Sequence, residues 1–430
     1  MHPMEASHGM HILFLTDNFP PEVNAPASRT HEHCRLWVKA GHQVTVVTCA
    51  PNFPKGEVFE GYRNRLWQQE TIDGIRVIRV WSFISANAGF ALRIADYVSY
   101  AVMATLAGLF VRRVDVVIGT SPQFFTACAA WAVGGLKRRP WVFELRDLWP
   151  ESIKAVGAMK GSRAIDALER LELFLYRRAA RIVSVTHSFR QKLAERGIAP
   201  EKIDVVTNGV DIDRFSPRPK DEELTERLGL QGRFVAGYIG THGMAHALET
   251  LLEAAAALQA QGQGERFHFL LLGDGARKAE LKAQAEAMGL RNVSFVDSVP
   301  KDEVARYWSL LDVSIIHLRR TELFTTVIPS KLFECMGMGL PVLHGVAGES
   351  AHIVERERVG LVFEPENVPA LLDGLQRLAD DAALREACRT AGLAAARRYD
   401  RAALAHQMLQ CVQDAAQQRP GAGLARGAAP

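Results

Sequence analysis

One grammar runs through this 430-residue sequence: a short apolar run, a few loop residues, then a longer stretch with apolar positions about every 3.6 residues. The short runs fall at 10–16, 44–48, 75–80, 114–120, 141–145, 182–185 and 203–206. They resume at 234–239, 267–272, 293–296, 313–317, 342–345 and 360–363. Helical stretches at about 26–40, 90–112, 122–137, 163–180 and 187–196 separate most of the first group. Such runs read as strands buried on both faces, and their alternation with helices predicts parallel sheets covered by helices. The length is two to three times that of a usual single domain. A break falls in Thr207-Asn208-Gly209-Val210-Asp211-Ile212-Asp213-Arg214-Phe215-Ser216-Pro217, which is dense in turn formers. The expected architecture is α/β: two Rossmann-like, doubly wound parallel-sheet domains, 10–208 and 209–400, facing across a cleft. A helix over 401–417 packs back toward the first domain, and 418–430, rich in Gly, Ala and Pro, forms a disordered tail.

Composition narrows the function. Fifty-one Lys and Arg against 48 Asp and Glu leave a net charge of +3, without the basic excess of a dedicated nucleic-acid binder. Six cysteines, at 34, 49, 128, 335, 388 and 411, form no C-x-x-C pair. A structural zinc or a disulfide framework is not expected, and a reducing compartment is. The first apolar run, 11–16, is too short for a signal core. The longest candidate membrane segment, 97–111, has 15 residues without a charge, short of the roughly 20 that a spanning helix needs. With Arg93, Arg112 and Arg113 framing it, the 90–113 segment either docks a lipid-linked acceptor or rests on a membrane surface, or is a core helix packed on the sheet.

In doubly wound sheets ligands bind beyond the carboxyl ends of the strands, so the loops there carry the candidates. The first strand runs into Thr16-Asp17-Asn18-Phe19-Pro20-Pro21-Glu22-Val23-Asn24-Ala25-Pro26-Ala27-Ser28-Arg29. No G-x-G-x-x-G is present, but small residues lead onto a helix N-terminus that favours an anion. Arg146-Asp147-Leu148-Trp149-Pro150-Glu151 follows a buried strand, and Asp147 there is a general base, a sugar-hydroxyl acceptor or a structural ion-pair partner. Ser121 and its neighbours read as wall. Gly273-Asp274-Gly275 suits close approach of a flat base. Gly240-Thr241-His242-Gly243-Met244 suggests a helix starting near Met244 with its N–H groups toward a phosphate. In 319–334 two arginines leave a strand, and a helix opens near Pro329 with Ser330 and Lys331 in its first turn. Lysine there opposes the helix dipole, which makes sense if an anion is to be neutralised. Glu334 shares its face at i,i+3.

Taken jointly, these segments resemble the retaining, GT-B fold glycosyltransferases of family 4 over about 10–415. They are Phe19-Pro20-Pro21-Glu22 with Ala25-Pro26-Ala27-Ser28-Arg29, the run Gly41-His42-Gln43-Val44, Asn208-Gly209-Val210-Asp211, Gly273-Asp274-Gly275 and Pro329-Ser330-Lys331-Leu332-Phe333-Glu334. Within that family the chain is similar to the bacterial O-antigen and exopolysaccharide branch that includes N-acetyl-fucosamine transferases. The resemblance implies a UDP-sugar donor held mainly by the second domain, and a glycan acceptor, polyprenyl-diphosphate-linked, at the inner face of the cell membrane. It implies that Glu334 takes the ribose hydroxyls, Lys331 the diphosphate, Gly273 and Asp274 the base, and Thr241 and His242 the phosphate side. Thr326, Val327 and Ile328 lie against the donor, and Asn24, Ala25, Arg29, Asp147 and Glu151 belong to the acceptor side. Asp147, Lys331 and Glu334 are the candidate catalytic set. No metal or other cofactor is expected, and the protein is expected in the cytoplasm, peripheral to the membrane.

Three departures stand out. The first of the family's two glutamates is Thr326, which implies altered sugar recognition. The usual Arg and Lys after the first strand of the second domain are absent, leaving Lys331 with Arg319 or Arg320 to meet phosphate charge. The histidine that commonly precedes Asp147 is Arg146. A non-hydrolysing UDP-sugar epimerase and a non-catalytic sugar-nucleotide binder remain as alternatives.

Overall fold

The computed structural model describes residues 9–53, 55–84, 89–148, 163–300 and 302–418. Glu151 and the tail beyond 418 lie outside them. The chain divides into two compact units, 1–207 with 402–430, and 208–401.

The first unit carries an eight-stranded sheet of β1 (His11–Leu15), β2 (Gln43–Cys49), β3 (Trp67–Ile72), β4 (Ile75–Val80), β5 (Val116–Thr120), β6 (Trp141–Leu145), β7 (Arg181–Ser184) and β8 (Ile203–Val205). The order is β3-β4-β2-β1-β5-β6-β7-β8. All pairs are parallel except β3–β4. That edge strand is absent from the sequence expectation because Gln68, Gln69, Glu70 and Thr71 disguise it as loop. Its signal was the Asp73-Gly74 pair, both at positive φ, a two-residue hairpin turn. Successive residues of β1 enter opposite cores: Leu13 and Leu15 join one apolar cluster, Ile12 and Phe14 the other. The helix Arg401–Gln417 belongs to this unit. Its Leu404, Met408 and Val412 pack in the same cluster as Trp37, whose indole N–H donates to Ala405 O at 2.9 Å.

The second unit carries six parallel strands, β9 (Phe234–Ile239), β10 (Phe267–Leu272), β11 (Val293–Val296), β12 (Val313–His317), β13 (Val342–Gly345) and β14 (Gly360–Val362). The order is β11-β10-β9-β12-β13-β14. The chain winds outward from β9 and then restarts on its other side at β12. That reversal is a topological switch point, beyond which ligands of doubly wound sheets bind. β9 and β12 pair over only Ala236–Val313 and Gly237–Ser314. In the first unit the corresponding reversal lies between β1 and β5.

Candidate functional site

At the β9–β12 switch point two glycine-bearing turns are laced together. Gly240 N–H donates to Leu272 O, His242 N–H to Asp274 O, and Arg277 N–H to His242 O, each at 2.9 Å. Gly273 must be glycine: at its φ of +147° an added Cβ would lie 1.8 Å from Gly240 O. Lys278 ties the second turn down, its Nζ donating to Gly273 O at 2.6 Å and pairing with Asp297. Asp274 is exposed and accepts from the Gly275 N–H through Oδ1 at 2.8 Å.

No helix starts near Met244, contrary to the sequence expectation. Met244–His246 is a single 3₁₀ turn, Ala247 is left-handed, and the helix begins at Glu249. The carbonyls of that turn are occupied from the side. Met244 O accepts from Arg319 Nε at 2.6 Å, Ala245 O from Arg319 N–H at 2.8 Å, and His246 O from His317 Nδ1 at 2.8 Å.

Into this turn the helix Lys331–Met338 brings its first residue. Leu332, Phe333, Cys335 and Met336 are buried and fix the helix in the core. Lys331 Nζ sits 3.9 Å from the Tyr238 ring centroid and so close to Gly240 that a Cβ there would approach it to 2.4 Å. It has no hydrogen-bond or ion-pair partner among the described residues. Burial, partly offset by Glu334, pushes its pKa from 10.5 to about 8. The Tyr238 ring also lies 6.0 Å from that of His242 and 5.8 Å from that of His246, and its hydroxyl donates to Thr241 O at 2.9 Å. Tyr238 is thus a platform that sequence reasoning passed over, because a tyrosine inside a strand reads as core. His242 is fully buried with both ring nitrogens unpartnered. Burial, then Lys278 and Lys331, push its pKa down to about 4, so the ring is neutral at pH 7. Thr241 beside it is exposed.

Arg319 is engaged elsewhere: besides Met244 O it pairs with Glu249 at 2.6 Å and Glu366 at 3.7 Å. Arg320 pairs with Glu364 at 2.5 Å. Both shape the rim, and Lys331, against Gly240, has no ion-pair partner among the described residues. Thr326 is buried in the Leu323–Thr326 turn and its hydroxyl donates to Leu323 O at 2.9 Å. Val327 is half-buried and Ile328 buried, lining the approach to the helix. Glu334, one turn beyond Lys331, is half-buried.

In the first unit, Asn24 caps the helix Ala25–Lys39, accepting from Ala27 N–H at 2.9 Å and donating to Asn18 Oδ1 at 2.9 Å. Ala25 is exposed at the helix start. Arg29 does not face outward. It is 7% exposed, and its guanidinium bonds Glu144 at 2.9 Å, Thr207 O at 2.7 Å and Val206 O at 2.9 Å. This is a clamp holding β6 to the end of the sheet rather than a contact for an acceptor. Asp147 is half-buried, and both its N–H and that of Arg146 donate to Ser121 Oγ, at 3.2 and 2.8 Å. Ser121, read as mere wall, therefore shapes the Asp147 loop. Asp17, first residue after β1 and missed as a candidate, accepts from Gln123 Nε2 across the β1–β5 switch point. Burial, with Asp96 and Glu22 adding negative charge, pushes it up to about 8.

The model described as "Glycosyl transferase 4-like domain" matches residues 24–209, and "Glycosyl transferases group 1" matches 233–381. The chain belongs to the family 4 glycosyltransferases. Escherichia coli (strain K12) WcaI, named for colanic acid biosynthesis, is 24% identical over 380 residues, 86% of this chain and 92% of that one. A GDP-mannose-dependent alpha-mannosyltransferase of Mycobacterium tuberculosis (strain CDC 1551 / Oshkosh) is 26% identical over 387 residues, covering 86% and 90%. Among solved structures, Anabaena HepE in complex with UDP and glucose superposes with a TM-score of 0.70 at 18% identity, over 94% of this chain and 99% of that one. That likeness establishes the GT-B fold. As a family 4 glycosyltransferase the chain is an enzyme, which sets aside the non-catalytic and epimerase readings.

Proposed function

We propose that this glycosyltransferase moves a sugar from a UDP-sugar to a polyprenyl-diphosphate-linked glycan in cell-surface polysaccharide synthesis. It would work in the cytoplasm at the inner face of the membrane. The observation that carries the donor half is Lys331: a half-buried lysine whose ammonium has no hydrogen-bond or ion-pair partner among the described residues, at a helix start, against two glycine turns and beside an imidazole whose ring nitrogens have no hydrogen-bond partner. A diphosphate supplies the negative oxygens that both groups lack. Glu334 accepts the ribose hydroxyls, and the Gly273-Asp274 turn borders the base. Charge developing on the leaving diphosphate is met by these preset groups, with no metal required. The sugar departs and is attacked on the same face, so configuration is retained, with the leaving phosphate taking the acceptor proton. Asp147, with Asp17, belongs to the acceptor side in the first unit. The polysaccharide role is supported by the likeness to WcaI.

The test is a thermal-shift panel of UDP, GDP and dTDP sugars, with free UDP as reference. A ligand at 100 times its Kd adds about 2.7 kcal/mol. The expected result is a UDP-selective shift, lost in Glu334→Ala with the circular dichroism spectrum unchanged, and turnover that survives EDTA. A GDP-selective shift overturns the uridine assignment, and no shift from any nucleotide overturns the donor site.

A further inference from the structure

The 90–113 segment was expected either to pack on the sheet or to meet a membrane, and the structure gives its two faces one role each. Along the helix Gly89–Phe110, Tyr100, Ala104 and Ala107 are buried in the core of the first unit. The other side exposes Leu92, Val98, Val102, Leu106 and Phe110 to solvent, the last four at i,i+4 spacing along about 18 Å.

Two further segments converge on the end of that helix. The Trp67 ring meets the Phe110 ring edge-on at 6.5 Å, which brings up Arg63, Arg65 and Leu66. Lys137 Nζ donates to Leu109 O at 2.9 Å and Val111 O at 2.6 Å, which brings up Leu136, Arg138 and Arg139. The tip is markedly apolar: Phe110 is 76% exposed, Leu66 69% and Leu136 68%. Around it stand the exposed Arg63, Arg65, Arg112, Arg113 and Arg138, none with a carboxylate partner among the described residues. Arg139 reaches Asp115 at 3.9 Å.

We infer that this face of the first unit docks on an anionic phospholipid surface. Phe110, Leu66 and Leu136 enter the headgroup region, and the arginine ring meets lipid phosphates. The sign of the ring selects the occupant: unpaired guanidinium groups about an apolar tip fit a negative surface with an oily layer beneath. Trp67 has the amphipathic ring favoured at that depth. No helix among the described residues is long and apolar enough to cross a membrane, so the contact lies in the interface plane. The inference deepens the membrane-side reading above, but its readout needs neither donor nor acceptor.

The test is co-sedimentation of the full chain with vesicles of phosphatidylcholine alone and of phosphatidylcholine with one quarter phosphatidylglycerol. Binding is expected only to the anionic vesicles, weakening at least tenfold between 0.1 and 0.5 M salt as screening shortens. Arg112→Ser with Arg113→Ser, and separately Phe110→Ser with Leu66→Ser, should each weaken it tenfold or more. Nucleotide thermal shifts in these variants should match wild type, which separates failure here from failure of the donor site. Equal binding to neutral vesicles, no binding, or variants that bind like wild type would overturn the inference. So would a concentration-dependent dimer that Phe110→Ser abolishes, because the face then covers a second copy.

Discussion

Replacing Lys331 by Met should make the free protein more stable while removing its response to nucleotide. The lysine is held in the fold with a pKa of about 8 against an ordinary 10.5. Near pH 7 it is charged in both folded and unfolded chains, so a depression of that size corresponds to about 3 kcal/mol of destabilisation. The face of Tyr238 at 3.9 Å returns roughly 1–2 kcal/mol of cation–π attraction, and Met fills most of the same volume. A net gain of about 1–2 kcal/mol is expected at pH 7. The pH dependence has a definite sign. Between about pH 8 and 10.5 the unfolded lysine holds a proton that the folded one has released, so wild type gains stability through that window. Lys331→Met does not, so the gap between them narrows as pH rises. Urea unfolding of both proteins at pH 7, 8.5 and 10 measures the gap, and a UDP thermal shift on the same samples measures binding. A variant less stable than wild type by more than about 1 kcal/mol at every pH would refute the reasoning. Lys331 would then be satisfied in the free protein and not reserved for an anion.

Three other substitutions have set outcomes. Gly273→Ala drives a Cβ to 1.8 Å from Gly240 O, backbone against backbone. It should cost at least about 2 kcal/mol in urea unfolding and abolish the nucleotide shift, whereas a neutral variant would mean the paired turns are loose. Arg29→Met leaves Glu144 buried without its guanidinium, a loss of about 3–5 kcal/mol. A change confined to acceptor KM, with stability untouched, would return Arg29 to the acceptor side. Asp17, raised from 3.8 to about 8, keeps a proton that the unfolded chain gives up, so wild type loses stability as pH climbs through that interval. Asp17→Asn should therefore exceed wild type most near pH 8, the difference closing toward pH 4. A constant difference across that range would show that Asp17 is ionised in the fold.

Much of the fold was legible because apolar strand runs and helix periods are local signals. The thirteen strands proposed from sequence lie within a residue or two of those found. The polar edge strand β3 escaped notice because only one of its flanks is covered. The helix expected at Met244 failed for a tertiary reason: Arg319 and His317, more than seventy residues away, take the carbonyls it would need. Site residues divided the same way. Lys331 was identifiable from its place in a first turn, a charge whose position is awkward unless something meets it. Arg29 looked the same as an acceptor contact until its partners appeared. Asp17 gave no local sign, since its perturbed state comes from Asp96, Glu22 and burial, which only the folded sheet assembles.

The most direct test of the donor site is hydrogen–deuterium exchange of the full chain with and without saturating UDP, read by peptide mass spectrometry. Protection is expected in 238–247, 272–278 and 326–336, the segments that meet around Lys331. Protection confined to 16–29 and 120–124, or none at all, would place the nucleotide elsewhere and contradict the assignment.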